Sequence, residues 1–130
     1  MILIFGGAYQ GKLEYALEKY NLQMEDVFQC EMDTINIDLD KKIITNLENF
    51  IFACVNGEIE AKDYLEEQWE ILKDKIVICT DISQGVVPME KKERAWREMT
   101  GRTMVFLGKR ADVITRVFCG IGQNIKEEKR

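Results

Sequence analysis

Short continuous apolar runs alternate along this chain with stretches in which apolar side chains recur every three to four residues. Residues 1–5, 50–55 and 76–80 are unbroken runs of strand length and predict strands buried on both faces. Leu13, Ala16, Leu17 and Tyr20 fall at helical spacing, with Asn21 as a stop. Residues 26–32 alternate imperfectly, as an outer strand does. Ile43, Ile44 and Leu47 form a stripe on an otherwise charged segment, so a helix capped near Asn36 or Asp38 is predicted over 38–49. Asn56-Gly57 reads as a turn before a long amphipathic helix around Tyr64, Leu65, Gln68, Ile71 and Leu72. After the run at 76–80, a loop from Asp81 leads to Pro88, which is placed to open a helix through Trp96, Met99, Thr103 and Leu107 to about Arg110. Gly101 inside that helix costs about 1 kcal/mol relative to Ala, which predicts close packing or ligand approach there. Residues 113–119 and 123–125, around Gly120-Ile121-Gly122, predict a terminal hairpin, and 126–130 a charged, frayed tail.

Strand, helix, strand, helix, strand, helix, strand requires right-handed crossovers and a parallel sheet. The predicted fold is therefore α/β: a mainly parallel sheet flanked by helices, with a C-terminal antiparallel hairpin. Ligands of such sheets sit at the carboxyl ends of the strands, so residues 6–12, 54–56 and 80–85 are expected around one crevice.

The loop after the first run carries the chemistry. Gly6-Gly7-Ala8-Tyr9-Gln10-Gly11-Lys12 has the Gly-x-x-x-x-Gly-Lys spacing of a P-loop, and Leu13 opens the helix. Small residues let backbone N–H groups wrap phosphate oxygens, the helix start adds its dipole, and Lys12 supplies a point charge. The fold is thus P-loop NTPase-like in expectation, and residues 6–13 are the predicted nucleotide-binding set. The competing reading is a Gly-rich strand-to-helix turn that binds nothing. Leu13 stands where a hydroxyl normally holds Mg²⁺ and offers no oxygen, so metal-assisted chemistry is in doubt.

Composition narrows the choices. With 130 residues, 46% of them hydrophobic, the chain suits one core, and a single nucleotide-binding domain over 1–130 is predicted. Charges of both signs are interspersed around a net −5, which leaves no basic stripe for nucleic acid. No run reaches membrane length, and a soluble cytoplasmic protein is expected. Cys30, Cys54, Cys79 and Cys119 lack paired spacing and fall in or at the ends of predicted strands, which points to buried reduced thiols. There is no His, so imidazole catalysis and a phosphohistidine-type intermediate are excluded.

The glycine loop and the run Gly85-x-Val87-Pro88, Arg94, Arg97, Gly101-Arg102, Ala111-Asp112 and Gly120-Ile121 together resemble the bifunctional adenosylcobinamide kinase/adenosylcobinamide-phosphate guanylyltransferases of cobalamin biosynthesis. The resemblance covers both ends of the chain and not its middle. It implies GTP or ATP as ligand, a cobinamide-like small molecule as second substrate and a homotrimer. Against the family pattern, Leu13 replaces the hydroxyl after the loop lysine. Ala53 stands where an acid is expected at the end of the third strand, and Met104-Val105 replaces an Asn-Gln pair. The family's guanylylated His is missing, so guanylyl transfer is lost by that route.

Lys12 and Asp81 are the candidate catalytic residues. Asp81 would reach Mg²⁺ through water, accept a substrate hydroxyl proton, or simply cap loop amides. Asp33, Asp38 and Asp40 are alternative acids for a metal, though acids there are more often a solvated helix start. Arg94, Arg97 and Arg102 are candidate phosphate contacts, or a solvated or subunit-facing surface. Trp69, Trp96, Met99 and Phe106 read as core or interface. The expected function is nucleotide binding with little or no catalysis. The alternative is an active NTP-dependent kinase on cobinamide or a related small alcohol, using a substitute metal ligand.

Overall fold

The computed structural model describes residues 1–82 and 90–128 of the chain. Six strands form one sheet in the order β2-β3-β4-β1-β5-β6. They are β1 (Ile2–Gly6), β2 (Val27–Gln29), β3 (Ile43–Thr45), β4 (Ile76–Thr80), β5 (Val113–Phe118) and β6 (Ile121–Glu127). The first five are mutually parallel, and β6 returns antiparallel to β5. The helices are α1 (Lys12–Lys19), α2 (Leu47–Asn56), α3 (Ala61–Glu67), α4 (Trp69–Leu72) and α5 (Lys91–Arg110). The expected α/β architecture, with helices on a mainly parallel sheet and a terminal hairpin, is what the chain adopts.

The hand of parallel crossovers decides which face each helix covers. From β1 the chain moves toward β2 across one face and places α1 there, where Ala16, Leu13 and Leu17 pack with Ile4, Ile43, Ile78 and Val117. Every later crossover runs the other way along the sheet and lies on the opposite face, where Leu3, Ile44 and Val77 meet Leu47, Phe50, Ile51, Leu65 and Leu107. Alternation along β1, with Leu3 on one face and Ile4 on the other, links the two halves of the core.

Two elements differ from the sequence expectation. Residues 38–49 are not one helix: Ile43–Thr45 is the buried strand β3, and Asn46, in the left-handed conformation at φ 57°, turns the chain directly into α2. The apolar run at 50–55 is not a strand but the body of α2. That helix is enclosed by the sheet on one side and α5 on the other, so it is apolar nearly all round, and periodicity cannot separate such a helix from a buried strand. Phe50 against Tyr64 (centroids 5.1 Å apart) and Phe52 edge-on to Trp96 (5.3 Å) lock it in place. Ala53, expected at a strand end, is therefore buried on α2.

Smaller corrections follow the same logic. The predicted outer strand at 26–32 is reduced to β2, and its crossover to β3 is irregular, pinned by Ile37 N–H donating to the Tyr64 hydroxyl at 3.1 Å. The amphipathic stretch after Gly57 divides into α3 and the short α4. Helix α5 begins at Lys91, and Pro88 lies outside the described residues. The hairpin turns at Cys119-Gly120, both with positive φ as a type I′ turn requires, rather than at 120–122. Lys126 is no frayed tail residue: β6 includes it, and its ammonium donates to the carbonyls of Gly108 and Lys109 at the end of α5, at 3.1 and 3.3 Å. Cys30, Cys54 and Cys79 are buried, Cys54 on a helix, and Cys119 is exposed. Burial pushes the thiols of Cys30 and Cys54 up to about 12 and about 11, so both are neutral.

Two glycines differ sharply in what they tolerate. A Cβ at Gly6 would stand 2.4 Å from the Val117 carbonyl oxygen, a backbone atom that cannot yield. At Gly101 a Cβ would meet nothing within 4 Å among the described residues, so the close packing expected there is not made by them. In urea denaturation Gly6→Ala is expected to lose about 2 kcal/mol or more, and Gly101→Ala to gain up to about 1 kcal/mol.

Candidate functional site

The carboxyl ends of β1, β3, β4 and β5 lie along one edge of the sheet, and the glycine loop sits over the middle of it. Two left-handed residues shape the loop, Tyr9 at φ 61° and Gly11 at φ 84°. Gly11 is the cap residue of α1, and its carbonyl receives the Tyr15 N–H at 2.9 Å, so the loop passes straight into the first turn. A side chain on Gly11 would be strained by its φ and would press on Gly120 Cα, 3.4 Å from the Cβ position. Gln10 fastens the loop to the β5–β6 turn. Its backbone carbonyl accepts the Gly120 N–H at 2.8 Å, and its side-chain oxygen accepts the Cys119 N–H at 2.7 Å.

Lys12 folds back under the loop and donates to the Gly7 carbonyl at 2.7 Å. It is 8% exposed. Burial lowers its pKa, with the charges of Glu48, Cys79 and Glu14 opposing that shift. A pocket of about 370 Å³ opens beside it, lined by the loop, the start of α1, Thr45, Asn46, Glu48 and Thr80. Tyr9 is wholly exposed at the rim, and Leu13 lines the wall while packing into the α1 half of the core. All the predicted loop residues from Ala8 to Leu13 thus border one pocket, with Gly6 and Gly7 at the strand exit that leads into it.

Glu48 is the residue that sequence reasoning missed. It is buried in the first turn of α2, and its Oε1 accepts the backbone N–H of Thr80 at 2.9 Å. Its carbonyl accepts the Trp96 indole N–H at 2.7 Å. The signal was hidden because the segment was read as the end of a helix with a strand behind it. In the actual fold, the one-residue turn at Asn46 delivers the next acid to the sheet edge.

Asp81 does not join Lys12 in this pocket. Its backbone N–H continues the ladder to the Gly6 carbonyl at 2.8 Å, while the residue lines a separate cleft beneath α5. Thr80 borders both spaces. Residues 54–56, expected at the crevice, form the far end of α2 and lie away from it, and 83–85 fall outside the described residues.

No protein-family model matches the chain, and no curated protein does. Function must be argued from the site.

Donors for a metal are few around the loop. Leu13 contributes no oxygen, Ala53 is in the core, and Asp33, Asp38 and Asp40 are exposed on the β2–β3 crossover. Asp38 accepts the Asp40 N–H at 3.0 Å, the local role of a turn acid. Among the described residues no group of three or more acidic or thiol side chains is placed to hold a metal ion. Glu48 is the one buried carboxylate at the pocket. Of the arginines, Arg102 is engaged bidentately by Glu60 at 2.9 and 3.1 Å, Arg94 is exposed, and Arg97 lines the α5 cleft. Trp69 and Phe106 pack edge-on at 6.2 Å beneath the guanidinium of Arg110. No helix among the described residues is long and apolar enough to cross a membrane.

Two measurements follow from these charges. Glu48→Ala strands the buried Thr80 N–H and is expected to lose about 1–3 kcal/mol in urea denaturation, whereas Glu48→Gln keeps an acceptor and loses less. For Lys12, the unfolded chain holds more protons than the folded one between the lowered pKa and the ordinary lysine value, so stability rises with pH across that window. Lys12→Met is expected to abolish that rise, as read by urea denaturation at several pH values across the window.

Proposed function

We propose that this chain is a P-loop protein that binds ATP or GTP by their phosphates and carries out little or no phosphoryl transfer. One observation carries the reading. Lys12, nearly buried and partly stripped of water, is held at the mouth of a helix N-terminus under a loop forced into shape by Tyr9 and Gly11. An incoming phosphate would replace the Gly7 carbonyl as its partner and collect the loop amides and the dipole of α1 together. The resemblance to adenosylcobinamide kinase/guanylyltransferases supports the same ligand and a shared ancestry.

Catalysis asks for more than a phosphate seat. Phosphoryl transfer rests on positioning and on neutralising charge at the leaving oxygens, which usually falls to a metal as well as to the lysine. Leu13 leaves the usual metal position beside the loop lysine without a donor, and Asp81, the candidate for receiving a substrate proton, lines the other cleft. The absence of His leaves no route through a guanylylated histidine.

Glu48 favours one second reading, an NTP-dependent kinase acting on a cobinamide-like or other small alcohol. Its buried carboxylate borders the same pocket as Lys12, a position from which an acid can order water around a phosphate-bound cation.

Calorimetric titration with ATP and GTP, each with and without Mg²⁺, decides between them. Binding that needs Lys12, is lost in Lys12→Ala and changes little with Mg²⁺ is the expected result. Strong Mg²⁺ dependence that disappears in Glu48→Gln would favour the kinase reading instead. No binding of either nucleotide under any condition would reject both.

A further inference from the structure

Beneath α5, on the face of the sheet opposite α1, lies a cleft of about 390 Å³ that the nucleotide reading leaves unused. That volume is within the range of small-molecule sites. Its floor is Leu3 and Phe5 of β1 with Ile114 of β5, and α5 supplies Met104 and Val105. Gly101 contributes bare backbone to the same wall, with open space where its side chain would be. A central glycine that none of the described residues packs against lowers helix propensity for some other reason, and room for a ligand is one.

A second, independent feature lies in the same wall. Thr100 is 5% exposed, and its hydroxyl is buried with no hydrogen-bond partner among the described residues. Its neighbour Thr103 shows the ordinary solution, donating to the Met99 carbonyl at 2.8 Å one turn back. Thr100 does not do this. A buried hydroxyl without a partner is costly, and a helical threonine has a second χ1 setting through which it can meet a group outside its own helix. Asp81, Arg97 and Thr80 form the polar end of the cleft, nearest the strand ends.

We propose that this cleft binds a small, uncharged cyclic molecule bearing one hydroxyl group. The ring fills the apolar groove over Leu3, Phe5 and Ile114, and the hydroxyl pairs with Thr100. The apolar walls over Leu3, Phe5 and Ile114 favour an uncharged ring, and one hydroxyl meets the Thr100 group, which has no partner among the described residues. The inference goes beyond nucleotide binding and does not depend on it. Because Thr80 borders both spaces, a molecule seated here lies one strand end away from the Lys12 pocket.

The test is an NMR titration of the full chain with phenol and with toluene, which share a ring and differ in the hydroxyl. Phenol is expected to give saturable shifts at the amides of Thr100, Gly101, Gly108 and Ile114, with a Kd on the order of 1 mM. Toluene should bind about three- to tenfold more weakly, the worth of one neutral hydrogen bond. Thr100→Val, which keeps the shape and removes the hydroxyl, should bring phenol down to the level of toluene. Gly101→Leu should abolish both by filling the groove; if it unfolds the chain, Gly101→Ala should still weaken phenol. Lys12→Ala should leave phenol affinity unchanged, which separates failure here from failure of the nucleotide reading. Absence of saturable shifts up to about 10 mM, equal affinity for the two probes, or an unaltered phenol affinity in Thr100→Val would each overturn the proposal.

Discussion

The close approach of β1 and β5 at Gly6 is the contact on which the remainder of the molecule rests. Strand β1 is hydrogen-bonded on both sides, to β4 and to β5, and its exit leaves the sheet between them. With no Cβ at Gly6, the Val117 carbonyl lies where a side chain would be, and the chain rises over the sheet edge without splaying the strands. From that point the loop, the start of α1 and the position of Lys12 follow in sequence. A bulkier residue there would displace the sheet and the site together.

The charge balance beneath the loop sets what the pocket can do. Lys12 and Glu48 are both buried near Thr80, yet each has its own backbone partner, the Gly7 carbonyl for one and the Thr80 amide for the other. A buried charge held by a backbone dipole can exchange that partner for a ligand at modest cost, whereas two charges locked to each other resist separation. The arrangement keeps the lysine available for an anion while Glu48 limits the loss of its proton.

Much of this was legible in the sequence, and the gaps have physical causes. The runs at 1–5 and 76–80 read as strands because each is short and bounded by turn residues, and the spacing of Gly6, Gly11 and Lys12 marked the loop that borders the pocket. The middle was misread for one reason. A three-residue strand is too short to show a period, and a helix enclosed on two sides shows none, so β3 and α2 exchanged identities on paper. That error concealed Glu48 and misplaced Ala53. Gln10 was counted as a loop residue, but its tie to the hairpin pairs positions 109 residues apart, which no local pattern encodes. Asp81 was correctly put at a strand end; which side of the sheet it serves depends on helix α5, not on its own neighbours.

The Cys119-Gly120 turn has a consequence for how the chain can be altered. The tip of a two-residue hairpin is ordinarily among the safest places to splice in extra residues, since both flanking strands are already paired. Here the two amides of the tip hold Gln10, so lengthening the tip would release the glycine loop even though the sheet remained whole. A turn that looks open to insertion is thus a remote latch on the glycine loop, and a tag or reporter placed there would break both of its bonds to Gln10.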